Sequence, residues 1–412
     1  MFTIKYMTTV NSAPASGAGQ LLRHAGWWKW SAAAGSARLP VAMASLGMVY
    51  AGAQVNGSYA TGAVLGGAYA FAEALGAAWG GRLIARAGTL GLRVALLAGG
   101  ALAFALAAAV QVKLPVVLLV PLAVLVGAVP AGVPGGYRAL LPAIVPRSWL
   151  GTAFSWDAAL LEIQWLAAPA LVSAAVITFN GAAGIAAMGV VLLLAALLTL
   201  GLPKQRDTPD ADGTAVGGTH GLWSRPAVTN YVLSFAMGLG ESGVVVSLPA
   251  LLPALGGRAE LAGILAATLS AASLVGGLLY GALQHRLHGS LELRANLALA
   301  ALGLFLLPVA FAGNLFMALS TLALGGLLVA PLNGLRTQHL AETLSTDRQT
   351  EGFSVQYATM GLGASAGALI VAALLYIGPR YATAGPAAVL LLLGLIAVAS
   401  SRTTHLGLRP GR

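Results

Sequence analysis

Apolar blocks about twenty residues long, separated by short polar breaks, fill most of this chain. Lipid is the solvent that such a pattern requires. A helix needs ~20 mostly apolar residues to cross ~30 Å of hydrocarbon, and only a helix or a closed barrel satisfies its own backbone there. The blocks predict twelve transmembrane helices, over 39–56, 59–80, 91–110, 115–137, 152–176, 181–202, 227–250, 261–283, 291–311, 314–335, 353–376 and 382–401. So little chain is left between them that no sizeable soluble domain is expected. Only 8% of the residues are charged, so where the charges fall carries most of the remaining information.

The net charge of +10 suits nucleic acid in the abstract, but its placement argues otherwise. With a cytoplasmic N-terminus, nineteen of the lysines and arginines fall on inner segments, and only Lys113, Arg258 and Arg380 fall outside. This is the positive-inside asymmetry of a multi-pass protein, and an even number of spans returns both termini to the cytoplasm. The basic residues are expected to meet anionic lipid, with no nucleic-acid partner. There are no cysteines, which removes disulfides and thiolate metal sites. No metal or other cofactor is expected. Abundant Ala, Gly and Arg with scarce Lys point to a GC-rich bacterial genome, and so to a bacterial inner membrane. The first 38 residues lack a compact apolar core followed by a cleavage site and do not read as a signal peptide. Trp27, Trp28 and Trp30 read as an interfacial anchor before the first span, or as part of a loosely ordered tail.

The longest polar break, 203–226, divides the spans six and six. Its glycines and acids predict a flexible linker. The expected organisation is a cytoplasmic tail over 1–38, a six-helix half over 39–202, the linker, a second half over 227–401, and a tail over 402–412. The halves echo each other: Gly81 to Arg86 follows the second span as Gly281 to Arg286 follows the eighth. Ala153-Phe154-Ser155-Trp156 opens the fifth as Gly352-Phe353-Ser354-Val355 opens the eleventh, and Arg138 closes the fourth as Arg336 closes the tenth. Three matches, in order and at nearly one offset, indicate a duplication. Parallel six-span halves with a substrate site between them form a known transporter architecture.

Over residues 38–401 the chain resembles the major facilitator superfamily. That family's loop between the second and third helices reads Gly-x-x-x-Asp-Arg-x-Gly-Arg-Arg. Here Gly81, Arg86 and Gly88 match, while Ala85 stands for the Asp and Thr89-Leu90 for the basic pair. The resemblance implies gating by charge contacts between halves, with Arg86, Arg138, Arg286 and Arg336 as candidates for gating or interhelical contacts. The fifth span resembles that of drug-exporting antiporters, with Ala168-Pro169 and Val172-Ser173 in place of their Gly-rich stretch; the alternative is an ordinary proline kink. Arg38-Leu39-Pro40 and Thr350-Glu351-Gly352-Phe353 also look like a bacterial, exporter-like subgroup.

Four acids lie inside apolar blocks: Glu73, Asp157, Glu162 and Glu241. An acid at the centre of a membrane helix costs ~2.5–3.5 kcal/mol on insertion scales, so each is expected to face a cavity or a partner. Glu162 and Glu241 lie near the middle of their spans and are the candidates for proton coupling or substrate binding. Gly240 and Gly243 beside Glu241 would let backbone approach a ligand. Asp157 and Glu73, nearer the cytoplasmic ends, are candidates for gating or interhelical contacts. Asp157 and Glu162 are separated by ~140° around one helix and are not expected to form a pair. Tyr50, Gln54, Trp165, Asn230 and Gln356, with Asn56, Gln164, Ser234, Asn333 and Tyr357, are candidates for lining the cavity, packing being the alternative. Trp156 and Trp165 would offer an aromatic wall to a cation.

No Lys, Arg or His is expected deep in a span, and the histidines fall in loops or the tail. An unpaired carboxylate in a low dielectric takes up a proton readily and is a natural proton carrier. The expected function is therefore a monomeric, proton-coupled antiporter exporting a neutral or cationic apolar small molecule. The alternative is an importer or uniporter of a small polar nutrient with the same fold. An intramembrane enzyme is not expected, because the acids are scattered and no His-Glu or Asp-rich motif lies in a span.

Overall fold

The computed structural model describes residues 16–146, 149–203, 221–287, 289–344 and 348–406. Among these residues there is no strand. The helices are α1 (Ser16–Arg23), α2 (Ala25–Asn56), α3 (Tyr59–Gln111), α4 (Val116–Ala128), α5 (Val133–Ile144), α6 (Leu150–Thr178) and α7 (Ala183–Leu198), then α8 (Arg225–Leu251), α9 (Ala262–Leu283), α10 (Leu291–Leu306), α11 (Leu315–Thr343), α12 (Gln349–Leu374) and α13 (Pro379–Leu406). Residues 1–15, the linker over 204–220 and the tail from 407 lie outside the described residues, as do Arg147 and Ser148.

Eleven of the described helical segments are long and apolar enough to cross a membrane. The expected span at 59–80 is helical but is not among them. It is the first part of α3, and Tyr59, Tyr69, Glu73 and several glycines dilute its hydropathy. The break expected after residue 80 is a kink. Gly88, at φ 57° and ψ −141°, interrupts α3 in a conformation that a side chain would strain. The expected span at 115–137 is built from α4 and α5, which part around Val129–Gly132.

The clearest departure lies at the N-terminus. Helix α2 begins at Ala25, well ahead of the apolar block expected from 39. Trp27 and Trp30 are not an interfacial anchor: both are fully buried and their rings stack with centroids 5.3 Å apart. The Trp30 Nε1–H donates to the carbonyl of Tyr137 at 2.8 Å. Only Trp28 is half-exposed. The physical reason is a buried stripe along α2, where Trp27, Trp30, Ala34 and Ala37 recur at helical spacing against Tyr137, Leu140 and Leu141.

Helices α2–α7 and α8–α13 form two groups that meet mainly where α3 packs on α12 and α6 packs on α9. At one end the groups share a core: Val49, Ala60 and Ala63 pack with Val246, Ala368, Val371 and Ala382. Three hydrogen bonds cross the seam on that side. Tyr50 Oη donates to the Ala259 carbonyl at 2.8 Å, the Gly263 N–H donates to Ser173 Oγ at 3.0 Å, and Ser365 Oγ donates to the Gly67 carbonyl at 2.8 Å. At the other end, which carries Arg82, Arg86 and Arg286, the cores are separate. One gathers Trp27, Trp30, Tyr137 and Leu192, and the other gathers Leu222, Tyr231, Leu340 and Leu344. The bundle is therefore closed at the first end, and its two groups do not share a core at the basic end.

Candidate functional site

The buried charges fall in two places, within the first helix group and across the seam to the second. On α6, the side chain of Asp157 is 3% exposed and holds two guanidiniums. Arg38 Nη1, from α2, donates to Oδ1, and Arg138 Nε, from α5, donates to Oδ2 at 3.3 Å. The Arg38 Cζ lies 5.7 Å from the centroid of Trp30, so the extended start of α2 stacks an aromatic face on the charge. Arg38 is itself 4% exposed.

Glu73 is buried on α3 and accepts a hydrogen bond from Tyr357 Oη of α12 at 2.9 Å. This bond joins the two groups, and Tyr357 lies in electrostatic reach of both Arg38 and Arg138. Glu162 is half-buried further along α6 and faces Ser273 of α9. Glu241, half-buried on α8, interacts electrostatically with Glu162 and with Arg336. Among the described residues it makes no hydrogen bond through its side chain. Arg336 is 2% exposed on α11. Its Nη2 donates to Asn333 Oδ1 at 2.6 Å, while Nε and Nη1 have no partner among the described residues.

The expectation that no basic side chain lies deep in a span is therefore overturned twice, by Arg38 and by Arg336. Both helices run beyond their apolar blocks, α2 at its start and α11 at its end, so charges read as lying outside are packed among helices. His339 also stands on α11, with Nδ1 3.4 Å from Asn230 Nδ2, and not in a loop.

Asp157 and Glu162 have separate partners, in keeping with their angular separation. The other candidates divide. Trp165, 38% exposed, and Trp156, 37% exposed, are open on α6. Asn230 and Gln356 do not line a cavity: Gln356 Nε2 donates to Asn230 Oδ1 at 2.9 Å, and Asn230 Nδ2 donates to the Arg336 carbonyl at 2.7 Å, tying α8, α11 and α12 together. Gln54 joins Gln111, at 2.6 Å, and the Ala182 N–H, at 2.7 Å. Tyr50 serves the closed seam. Gly240 and Gly243 face Leu390 and Pro386 of α13, so they are packing contacts and give no backbone to a ligand. Arg86 and Arg286 are exposed and form no ion pair among the described residues. Arg38 and Ser273 were not picked out from the sequence as site residues. The Trp27–Trp30–Ala34–Ala37 spacing leading to Arg38 is a signal that finds the first; Ser273 has none.

A bundle of apolar helices that closes at one end and holds opposed charges between two helix groups has the layout of a membrane transporter. The fold agrees. The chain superposes on a D-xylose-proton symporter with a TM-score of 0.68, at 14% identity over 91% of this chain and 97% of that one. It superposes on a mutant form of a peptide transporter with a TM-score of 0.71, at 13% identity over 92% and 94%. A mutant nucleoside transporter gives 0.61, at 14% identity over 93% and 98%. At these identities the likeness shows the fold alone. No curated protein matches the chain. Residues 230–410 match the model of the Major Facilitator Superfamily. Over those residues, somewhat less than half of its length, the chain resembles that superfamily.

Proposed function

We propose that the protein is a proton-coupled antiporter that exports a small molecule with a cationic or neutral polar group, using Glu162 and Glu241 as its exchange site. One observation carries this reading. The two carboxylates come from opposite helix groups and interact with each other, and Arg336 is the guanidinium in electrostatic reach of Glu241. With both acids ionised the cluster holds one negative charge in excess. A proton or a substrate cation neutralises it equally well, so the two compete for the site. Competition at a site reached from each side in turn produces exchange. The reading includes twelve crossings in two halves, both termini in the cytoplasm of a bacterial inner membrane, and a monomeric working unit. In this view the structure opens toward the cytoplasm.

Proton movement in inside-out vesicles tests it. The interior is acidified, lipophilic cations and neutral drugs are added in turn, and interior pH is followed with a quenched dye. Discharge of the gradient that disappears in Glu241→Gln or Glu162→Gln is the expected result. Movement of labelled sugars or amino acids without proton release, and no discharge by any drug, would replace exchange with uptake or uniport.

A further inference from the structure

The outer face of α9 and α11 is hollow. A groove of about 520 Å³ runs between the two helices, lined by Ala271, Ala272 and Val275 of α9 and by Ser320, Ala323 and Leu327 of α11. Backbone contacts draw the helices together, Gly276 onto Leu327 and Gly326 onto Leu269, and the small side chains beside these contacts leave the space open. The surface of the groove is apolar. Thr268, which also lines it, turns its hydroxyl to the Ile264 carbonyl of its own helix at 2.9 Å. Val275 and Leu324 are half-exposed at the rim, and Ser270, which bonds to α6, lies on the other side of α9. The groove therefore faces lipid and not the space between the helix groups.

Its place along the span decides what can fill it. Helix α9 covers Ala262–Leu283, and the groove residues sit at its middle. The same face continues through Leu279, half-exposed, to Arg286, which is exposed and forms no ion pair among the described residues. Val275 and Arg286 are about 16 Å apart along the helix axis, close to half of the ~30 Å hydrocarbon core. An apolar hollow at the bilayer centre is thus in line with a cation at the depth of the headgroups. Glu342, the exposed acid on α11, stands about a turn further out, where it accepts from Gln338 at 3.0 Å.

The first helix group is built differently at the same positions. Two hundred residues earlier, the offset of the duplicated segments, Phe71 stands for Ala271, Leu75 for Val275 and Trp79 for Leu279, all exposed, ahead of Arg86. The cation recurs in both groups, while bulky side chains occupy in the first the face that is hollow in the second.

We propose that the α9–α11 groove holds one acyl chain of an anionic phospholipid from the leaflet at the basic end, with the lipid phosphate on Arg286. Lipid tails are as apolar as leucine, so burial alone gives no preference for this place. What a chain gains is close contact with both helices over a surface that otherwise lacks partner atoms. What the headgroup gains is a charge-assisted bond from the guanidinium. A lipid seated there braces from outside the helix that joins the second group to α6.

Native mass spectrometry of the full chain, purified in detergent and stripped of lipid, tests this. Dioleoyl phosphatidylglycerol and dioleoyl phosphatidylcholine, which share their chains and differ in charge, are titrated in turn. The wild type should bind a first phosphatidylglycerol more tightly than later ones, and more tightly than any phosphatidylcholine. Ala271→Phe, which gives α9 the side chain that α3 already carries, should abolish this first site. Ala323→Leu, filling the groove from α11, should do the same. Arg286→Gln, which leaves the packing untouched, should weaken the first phosphatidylglycerol about fivefold, the share of one arginine at an anionic surface, and leave phosphatidylcholine unchanged. Arg86→Gln, which removes the exposed arginine of the first group, should leave the first site intact. Equal phosphatidylglycerol binding in the wild type and both groove variants overturns the chain site. A loss in Arg86→Gln as large as in Arg286→Gln overturns the headgroup position. A dimer that disappears in Ala271→Phe would put a second copy of the chain in the groove and overturn the lipid.

Discussion

Tyr357 donates a hydrogen bond to Glu73 at 2.9 Å, although 284 residues separate them in the chain. The bond crosses from α12 to α3, where the two helix groups pack most extensively. Glu73 is 6% exposed, so the phenol is what compensates its removal from water. Removing one partner of a buried hydrogen bond leaves the other unsatisfied, which costs about 1–3 kcal/mol. Tyr357→Phe should lower the melting temperature of the detergent-solubilised protein measurably. Glu73→Gln, which still accepts from the phenol, should lower it less. An unchanged melting temperature in Tyr357→Phe, which keeps the ring and loses only the hydroxyl, would mean that packing of the ring, and not the bond, holds this seam.

Asp157 gives a sharper contrast. In Asp157→Asn, Arg38 stays buried with no counter-charge, and breaking a buried ion pair from one side costs about 3–5 kcal/mol. Arg138→Gln removes only the half-exposed partner at 3.3 Å, a loss of about 1 kcal/mol or less. The expected order in thermal unfolding is wild type, then Arg138→Gln slightly below it, then Asp157→Asn far below. An Asp157→Asn protein as stable as Arg138→Gln would show that water or another acid already serves Arg38.

The helical class, most helix positions and the membrane setting were readable from block length, because the hydrocarbon thickness imposes a length that composition cannot hide. The charges were not. A block-edge reading places every arginine at an edge in water, and Arg38 and Arg336 break that rule because their helices continue past the apolar stretch into protein. The α2 continuation does leave a trace, in Trp27 and Trp30 set at helical spacing. Glu162 and Glu241 were legible as anomalies, since an acid in an apolar block always asks for a reason. Their nearness to each other depends on how α6 meets α8 and α9, which no local pattern encodes. Asn230 and Gln356 show the converse case: polar residues in spans that satisfy one another and leave nothing for a ligand.

Pro169 illustrates how a legible residue can have an illegible partner. Proline has no N–H, so the carbonyl four residues earlier, that of Trp165, loses its helical donor. Ser270 Oγ, from α9, donates to that carbonyl at 3.2 Å. The proline thereby creates an acceptor through which the two helix groups are joined. A double-mutant cycle tests the link. Ser270→Ala should cost about 0.5–1.5 kcal/mol in the wild type, and almost nothing in a Pro169→Ala background, where α6 can satisfy its own carbonyl. Additive losses would show that the serine acts independently of the proline.

Gly263 is where the same two helices come closest at the closed end. A Cβ on this residue would overlap the carbonyl of Pro169 and the hydroxyl of Ser173, and the first of these is backbone that cannot turn aside. Gly263→Val should therefore push α9 away from α6 and break the bond from the Gly263 N–H to Ser173. Because the closed end also rests on the Val49–Val246–Val371 core, the helices should separate there without unfolding. The chain has no cysteine, so a single introduced pair reports cleanly. Spin labels at Lys113→Cys and Arg258→Cys, one exposed position on each helix group at this end, should show a longer distance population in Gly263→Val than in the wild type. The contact with the Pro169 carbonyl predicts that Gly263→Ala produces the same shift in smaller proportion. An unchanged distance distribution in the valine variant would mean that α6 and α9 can part locally without opening this end of the bundle.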